Sequence, residues 1–200
     1  MTDEVKNGPV KDYYDNGQLR LEGNFANGKL NGISKSYDID GTLIAEYNFK
    51  DDLLNGLSKE YYPDGSIYRE TEYENDLKNG ACRYYYPGGV LQAEANYKNG
   101  VLHGDGEEYY EDGTPKAKYH YDNGKLFGIA KMYHPNGNIL QESVFFDGKR
   151  NGLSKEYYEN GKLRVECYFS EDKKHGKLKA YDEDGKLLEV SQYVNDAKVD

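Results

Sequence analysis

Gly56-Leu57-Ser58-Lys59-Glu60-Tyr61-Tyr62, then Pro63-Asp64-Gly65, then Ser66-Ile67-Tyr68-Arg69-Glu70-Thr71-Glu72-Tyr73, and then Asn75-Asp76-Leu77-Lys78-Asn79-Gly80 are the residues that decide the fold. Two runs rich in β-formers are bounded by turn residues, and neither spaces its apolar side chains as a helix would, so the stretch predicts a β-hairpin. The stretch recurs. Its turn glycine stands at Gly17, Gly41, Gly65, Gly89, Gly113, Gly137, Gly161 and Gly185, a constant step of 24 residues. A second glycine keeps the same step at Gly8, Gly32, Gly56, Gly80, Gly104, Gly128, Gly152 and Gly176. A fixed period of this length marks a repeat architecture. Residues 1-8 are a lead-in, and 9-200 divide into eight units: 9-32, 33-56, 57-80, 81-104, 105-128, 129-152, 153-176 and 177-200. The predicted fold is all-β, an elongated, open-ended antiparallel meander of eight hairpins (about sixteen strands), twisted or curled as such sheets are.

Two aromatic series share the period: Tyr13, Tyr37, Tyr61, Tyr85, Tyr109, Tyr133, Tyr157 and Tyr181, and Phe25, Phe49, Tyr73, Tyr97, Tyr121, Phe145, Phe169 and Tyr193. The tight turn decides which side chains share a face, because one residue of register flips a whole strand. Sequences such as Pro63-Asp64-Gly65 and Glu159-Asn160-Gly161 suit a three-residue loop, a type I turn followed by a left-handed glycine. In that register both aromatic series join Leu19, Leu43, Ile67, Leu91, Ile139 and Leu163 on an apolar odd-numbered face, and the even face carries the charge. A two-residue loop is the alternative, and one observation favours it. Lys11, Lys35, Lys59, Arg83, Lys131, Lys155 and Lys179 are interrupted by Glu107, and Glu22, Glu46, Glu70, Glu94, Glu142 and Glu166 by Lys118. A reciprocal exchange points to neighbours, which a two-residue turn would oppose directly. The three-residue register is preferred, because the other splits the invariant aromatics between opposite faces.

Only 36% of the residues are hydrophobic, and 22 residues are Tyr, so aliphatic side chains are too scarce for a conventional globular core. Aromatics at 14% and 23 regularly placed glycines argue equally against disorder. A net charge of -10 and a pI near 5.0 disfavour nucleic-acid and anionic-membrane partners and favour a basic protein. Met1-Thr2-Asp3-Glu4-Val5 lacks the basic and apolar regions of a leader, and no run approaches the ~18 apolar residues of a membrane span. The expectation is a soluble, cytoplasmic chain, with a removed leader or anchor left open. Cys82 and Cys167 occupy different places in the repeat and form no disulfide or metal-ligand pattern, which fits small strand residues in a reducing compartment.

Leu21-Glu22-Gly23-Asn24-Phe25-Ala26-Asn27-Gly28-Lys29-Leu30-Asn31-Gly32 resembles the Tyr-Glu-Gly-x-Trp/Phe-x-x-Gly-x-x-x-Gly core of MORN repeats. In later units Gly23 becomes Tyr47, Thr71, Ala95 and Tyr119, and Gly28 becomes Asp52 and Asp76, a divergence that resembles the bacterial MORN-variant class. The resemblance covers 9-200. It implies a repeat sheet used for protein contact and, for the bacterial class, an antitoxin-like or immunity-like role. Eukaryotic MORN proteins are associated with membrane junctions or phospholipids, so the resemblance also implies an alternative, a structural or membrane-associated tethering array. A repeat shared by proteins with different jobs names none of them.

Chemistry is sought first at His103, His120, His134 and His175. His103 and His175 stand where Asn31, Asn55, Asn79 and Asn151 do, which reads as polar turn residues. No Ser-His-Asp or Cys-His grouping, metal-ligand spacing, phosphate loop or dinucleotide fingerprint can be assembled, so no enzyme, metal or cofactor is expected. Residues kept in every unit read as the packing element. Partner contacts are expected where units differ: Tyr62, Tyr68, Tyr84, Tyr86 and Tyr110 on the even face, ringed by Glu60, Glu70, Glu72, Glu94 and Glu108. An aromatic, acidic surface of this kind suits a basic protein. The open strand edge at the end of the array suits a homodimer.

Overall fold

The structure, a computed structural model, describes residues 6–199; the leader reading of Met1–Val5 lies outside the described residues. The chain divides into two compact units, Met1–Val101 and Leu102–Asp200, with four hairpins in each. In the first, Gly8–Tyr13 pairs with Leu19–Ala26, Gly32–Tyr37 with Leu43–Lys50, Gly56–Tyr61 with Ile67–Glu74, and Leu77–Tyr85 with Leu91–Lys98. In the second, Val101–Tyr109 pairs with Pro115–Asp122, Gly128–Tyr133 with Ile139–Phe146, Lys149–Tyr157 with Leu163–Ser170, and Lys173–Tyr181 with Leu187–Val194. Within each unit every pairing is antiparallel and joins sequence neighbours. This is the expected all-β meander.

Each tight turn is the three-residue loop its sequence suggests. In the quoted hairpin the Gly65 N–H donates to the Tyr62 carbonyl at 2.9 Å and the Tyr62 N–H to the Ser66 carbonyl at 2.8 Å, closing a turn over Pro63-Asp64-Gly65. Gly65 has φ +83°, a conformation that favours a residue without Cβ. Asp64 Oδ1 accepts the Ser66 N–H at 2.8 Å, which is why Asp or Asn precedes the glycine.

The face assignment drawn from that turn is wrong. Tyr61 lies opposite Ile67, as a three-residue loop requires, but Glu60 lies opposite Arg69, leaving Tyr68 as an extra residue. A β-bulge of this kind resets the register by one. Beyond it Lys59 faces Glu70, Ser58 faces Thr71 and Gly56 faces Tyr73. The same extra residue occurs in all eight hairpins, at Arg20, Ile44, Tyr68, Gln92, Lys116, Leu140, Arg164 and Leu188. Turn and pairing therefore obey different registers, so the two invariant aromatic series lie on opposite faces and Glu107 directly opposes Lys118.

In each unit one face, here called inner, carries its members of the Phe25-to-Tyr193 series beside a row of small residues. The buried side chains all belong to it: Ala45, Ser58, Thr71 and Cys82 in the first unit, and Ala117, Ser143, Ser154, Cys167 and Ser191 in the second. None is large. Among the described residues no Leu, Ile, Val, Phe or Tyr is buried, so within each unit a single sheet stands without a conventional two-layer core. Both cysteines are free thiols in this row, and Cys82 Sγ lies 3.4 Å from Thr71 Oγ1.

The second connection of each repeat is tighter than a run of turn residues suggests. Asn75 and Asp76 have φ of 49° and 66° and join Glu74 directly to Leu77, a two-residue turn with both central residues left-handed. Among the described residues, all twelve non-glycine residues with positive φ lie in these connections. The turns stack on one another: the Asp76 N–H donates to the Leu54 carbonyl at 3.0 Å, and Asp76 Oδ1 accepts the Leu54 N–H at 2.6 Å. Asp52 and Leu30, Asp172 and Arg150, and Asp196 and Lys174 repeat this exchange. Where Gly28 stands instead, the backbone bond to Lys6 remains and no side chain can add the second one. Aspartate at this glycine position is thus a gain of one inter-repeat hydrogen bond. We expect Asp76→Ala, which loses that bond and keeps the left-handed strain, to destabilise by about 1–3 kcal/mol in urea unfolding. Asp76→Gly, which relieves the strain, should cost less than about 1 kcal/mol.

Candidate functional site

The outer face is organised by charge. Across the first unit run Lys11, Glu22, Lys35, Glu46, Lys59, Glu70, Arg83 and Glu94, each backbone-paired with the next. Lys35 lies 2.9 Å from Glu46 and Lys59 lies 3.1 Å from Glu70, while Arg83 meets Glu94. In the second unit Lys118 lies 2.9 Å from Glu107 and Lys131 lies 3.0 Å from Glu142. The first invariant tyrosine series ties this ladder from repeat to repeat. Tyr37, Tyr61, Tyr85 and Tyr157 donate their hydroxyls to Glu22, Glu46, Glu70 and Glu142, fifteen residues earlier, at 2.7, 3.0, 2.9 and 3.2 Å. Each of these carboxylates thus takes a phenol from one repeat and stands beside a lysine of another strand.

Ionisation follows from those partners. Hydrogen bonds from Lys35 to Glu46 and from Lys131 to Glu142 hold both carboxyls below the ordinary value of 4.5. Tyr109 and then Lys118 do the same for Glu107. Burial alone would raise Glu70, but Lys59 and Tyr85 outweigh it and its pKa falls. Burial, with the carboxylate each one meets, pushes Tyr61 and Tyr85 up to about 12.

The predicted aromatic and acidic patch forms only in part. Tyr62, Tyr68 and Tyr84 do converge on the inner face of the first unit, with ring centroids 5.2 and 5.8 Å apart and edge-to-face planes. Arg69 lies over Tyr84, 5.8 Å from its centroid, and pairs with Glu60, which also accepts the Tyr47 hydroxyl at 3.0 Å. Sequence reading missed Arg69 because it was assigned to the opposite face. Glu70, Glu72 and Glu94 are on the outer face, the first and last of them ion-paired, so no acidic ring surrounds the tyrosines. The Glu72 carboxylate folds against Gly80, where a Cβ would sit 2.0 Å from Oε2. In the second unit Glu108 lies 3.2 Å from Lys116 and accepts the Tyr119 hydroxyl.

Two of the tyrosines expected to contact a partner also tie one repeat to the next. Tyr62 donates its hydroxyl to the Tyr85 carbonyl and Tyr110 to the Tyr133 carbonyl, both at 2.8 Å, as Tyr14 and Tyr158 do one repeat on from themselves. His134 fills the same place and its Nε2 reaches the Tyr157 carbonyl at 3.0 Å. Tyr86 opens its own loop, donating its N–H to the Val90 carbonyl. Tyr68 and Tyr84, by contrast, stand where other units have Arg20, Ile44 or Gln92 and Asp12, Ser36 or Glu108.

Open grooves lie along the inner faces. In the first unit a groove of about 400 Å³ is lined by Val10, Leu21, Phe25, Leu30, Tyr47 and Phe49. In the second, one of about 550 Å³ runs between Tyr119, Tyr121, Leu126, Met132 and Phe145. Cations lie over the invariant rings: Lys6 over Phe25 at 4.3 Å and Lys78 over Tyr97 at 4.9 Å in the first unit, Arg150 over Phe169 at 4.0 Å in the second. Among the described residues no three His, Cys, Asp or Glu side chains converge as metal ligands would, and no helix is long and apolar enough to cross a membrane.

The family model described as "MORN repeat variant" matches residues 6–27, 30–51, 54–75, 78–99, 102–126, 128–147, 150–171 and 174–195. No curated protein matches the chain. Two of the similar solved structures, titled "Crystal Structure of TcdB2-TccC3-Cdc42" and "Crystal Structure of TcdB2-TccC3", are both 11% identical to it. The matches cover 92% and 95% of this chain but only 13% and 14% of theirs, with TM-scores of 0.22 and 0.24, too low to carry an argument.

The ladder makes stability depend on pH at both ends. The depressed glutamates contribute stability that is fully present above pH 4.5 and lost as the pH falls through their lower folded values. The raised tyrosines contribute stability that is fully present below the ordinary 10.0 and lost as the pH rises through about 12. Thermal melts across this range should show a plateau falling at both ends, and Glu46→Gln should weaken the acid-side fall.

Proposed function

The chain belongs to the MORN repeat variant family, and on that footing we propose that it is a non-catalytic repeat scaffold that binds another protein. The observation that carries this reading is the division of labour among its side chains. Many of the recurring residues are occupied in holding neighbours together, as the Tyr61–Glu46–Lys35 set illustrates. Tyr68 and Tyr84 do not recur, lie side by side, and add rings to the inner face at positions where other units carry no aromatic side chain. Repeat-specific aromatics on an invariant frame are what a partner distinguishes, since tyrosine supplies much contact area at little entropic cost.

The net charge of -10 supports a basic protein as the partner, drawn in by the long-range field. In its finer form the reading is of an antitoxin-like or immunity-like protein that covers such a partner. Affinity capture from cells that make the chain should recover a basic protein, less of it as salt rises. Tyr68→Ala combined with Tyr84→Ala should cut recovery about tenfold or more while leaving the circular dichroism spectrum unchanged. Unchanged recovery with that variant, or recovery of acidic proteins alone, would overturn the reading.

A further inference from the structure

In the second unit the ladder breaks. Exchanging the charges at Glu107 and Lys118 preserves their own pair, but it sets Lys118 directly opposite Lys131 of the next hairpin. Like charges directly opposed across two strands repel. The first unit has only opposite charges at such junctions: Glu22 faces Lys35, Glu46 faces Lys59 and Glu70 faces Arg83. The exchange has a second cost. Tyr61 and Tyr85 donate to a glutamate fifteen residues earlier, whereas at that distance from Tyr133 stands Lys118.

Two further departures adjoin the lysines on the same face. Val144 stands where other units carry Asn24, Asn48 or Glu72, and it pairs with Ile129, which is 59% exposed, two residues from Lys131, and aliphatic as Ile33 and Leu57 are. Next along from Val144 stands Phe146, whose ring centroid lies 5.8 Å from that of Phe127. These two rings are 56% and 44% exposed. The chain has 6 phenylalanines; the other four, Phe25, Phe49, Phe145 and Phe169, belong to the invariant series. Phe127 displaces the asparagine that elsewhere bonds to the neighbouring turn, as Asn31 does to Asp51 at 3.2 Å. Positions where a repeat breaks its own rules at a cost in stability, without a visible structural return, are where function is expected.

We propose that this outer stripe, Lys118 and Lys131 at one end, Ile129 and Val144 in the middle, Phe127 and Phe146 at the other, binds an extended acidic peptide segment. A carboxylate of the segment sits between the two lysines and an apolar side chain lies against the two rings. Charge decides the occupant. The two lysines are backbone partners with no carboxylate between them; each keeps its own glutamate on the far side, Glu107 at 2.9 Å and Glu142 at 3.0 Å, and a bound carboxylate offsets the remaining repulsion. The exposed ring pair supplies the buried anchor such a contact needs. The stripe lies on the outer face of the second unit and does not depend on any role for the Tyr68–Tyr84 pair of the first.

The test uses variants that restore the repeat's own residues and so should fold at least as well as the parent: E107K with K118E, and F127N with F146A. A random linear peptide library displayed against the whole chain should yield sequences with Asp or Glu a few residues from a Phe, Leu or Trp. Their affinity should fall about tenfold or more in each double variant, weaken with salt, and be untouched by Y68A with Y84A. The E107K, K118E variant should also melt above the parent. Selection of basic peptides, of none, or of peptides indifferent to both double variants overturns the proposal. So does a change of oligomeric state in F127N, F146A by sedimentation, which would make a second copy the occupant.

Discussion

One extra residue on the returning strand of every hairpin is the constraint on which the rest of the molecule depends. Continued without it, the tight turn over Pro63-Asp64-Gly65 would set Lys59 opposite Arg69 and gather all odd-numbered side chains on one face. Tyr68, bulged out of the pairing, moves everything beyond it by one place. Lysine then faces glutamate, the two invariant aromatic series part to opposite faces, and the small residues line up in a buried row. The charge ladder, the tyrosine ties and the inner grooves are all consequences of that displacement.

Within each unit a single sheet has little apolar surface to bury, and the hydrophobic effect scales with that area. Polar contacts between successive repeats take up the role. Tyrosine hydroxyls reach carbonyls and carboxylates of the adjoining repeat, stacked turns exchange backbone hydrogen bonds, and aspartates such as Asp76 add one more. Individually such pairs contribute about 0.2–1 kcal/mol, so the stability of each unit is a sum of many neighbour terms. This is why a composition too polar for a globular domain still folds.

The period, the hairpins and the loop type were legible because each leaves a mark in residue identity: a glycine for the left-handed position and an Asp or Asn before it. The bulge leaves none. Its residue is Arg20, Ile44, Tyr68 or Gln92 with equal ease, since it needs no positive φ and no particular side chain. Hydrophobic patterning pointed to the wrong register because neither unit has a second layer of its own to demand one apolar face. The reciprocal exchange of Glu107 and Lys118 pointed to the right pairs for a different reason than a two-residue loop. The same error divided the candidate site: Tyr62, Tyr68 and Tyr84 came together with Glu60 and the unforeseen Arg69, while Glu70, Glu72 and Glu94 went to the other face.

Within the frame set by the bulge, recurring residues hold neighbours and the exceptional ones stand on either face. The register is therefore the thing to measure. With Cys82 and Cys167 replaced by alanine, cysteines introduced by Lys59→Cys and Glu70→Cys should oxidise spontaneously to a disulfide, because the two positions are directly opposed. Lys59→Cys with Arg69→Cys should remain reduced, since those side chains point to opposite faces. The reverse pattern, a disulfide in the second pair and free thiols in the first, would mean that the strand returns without its extra residue and would contradict the structure described.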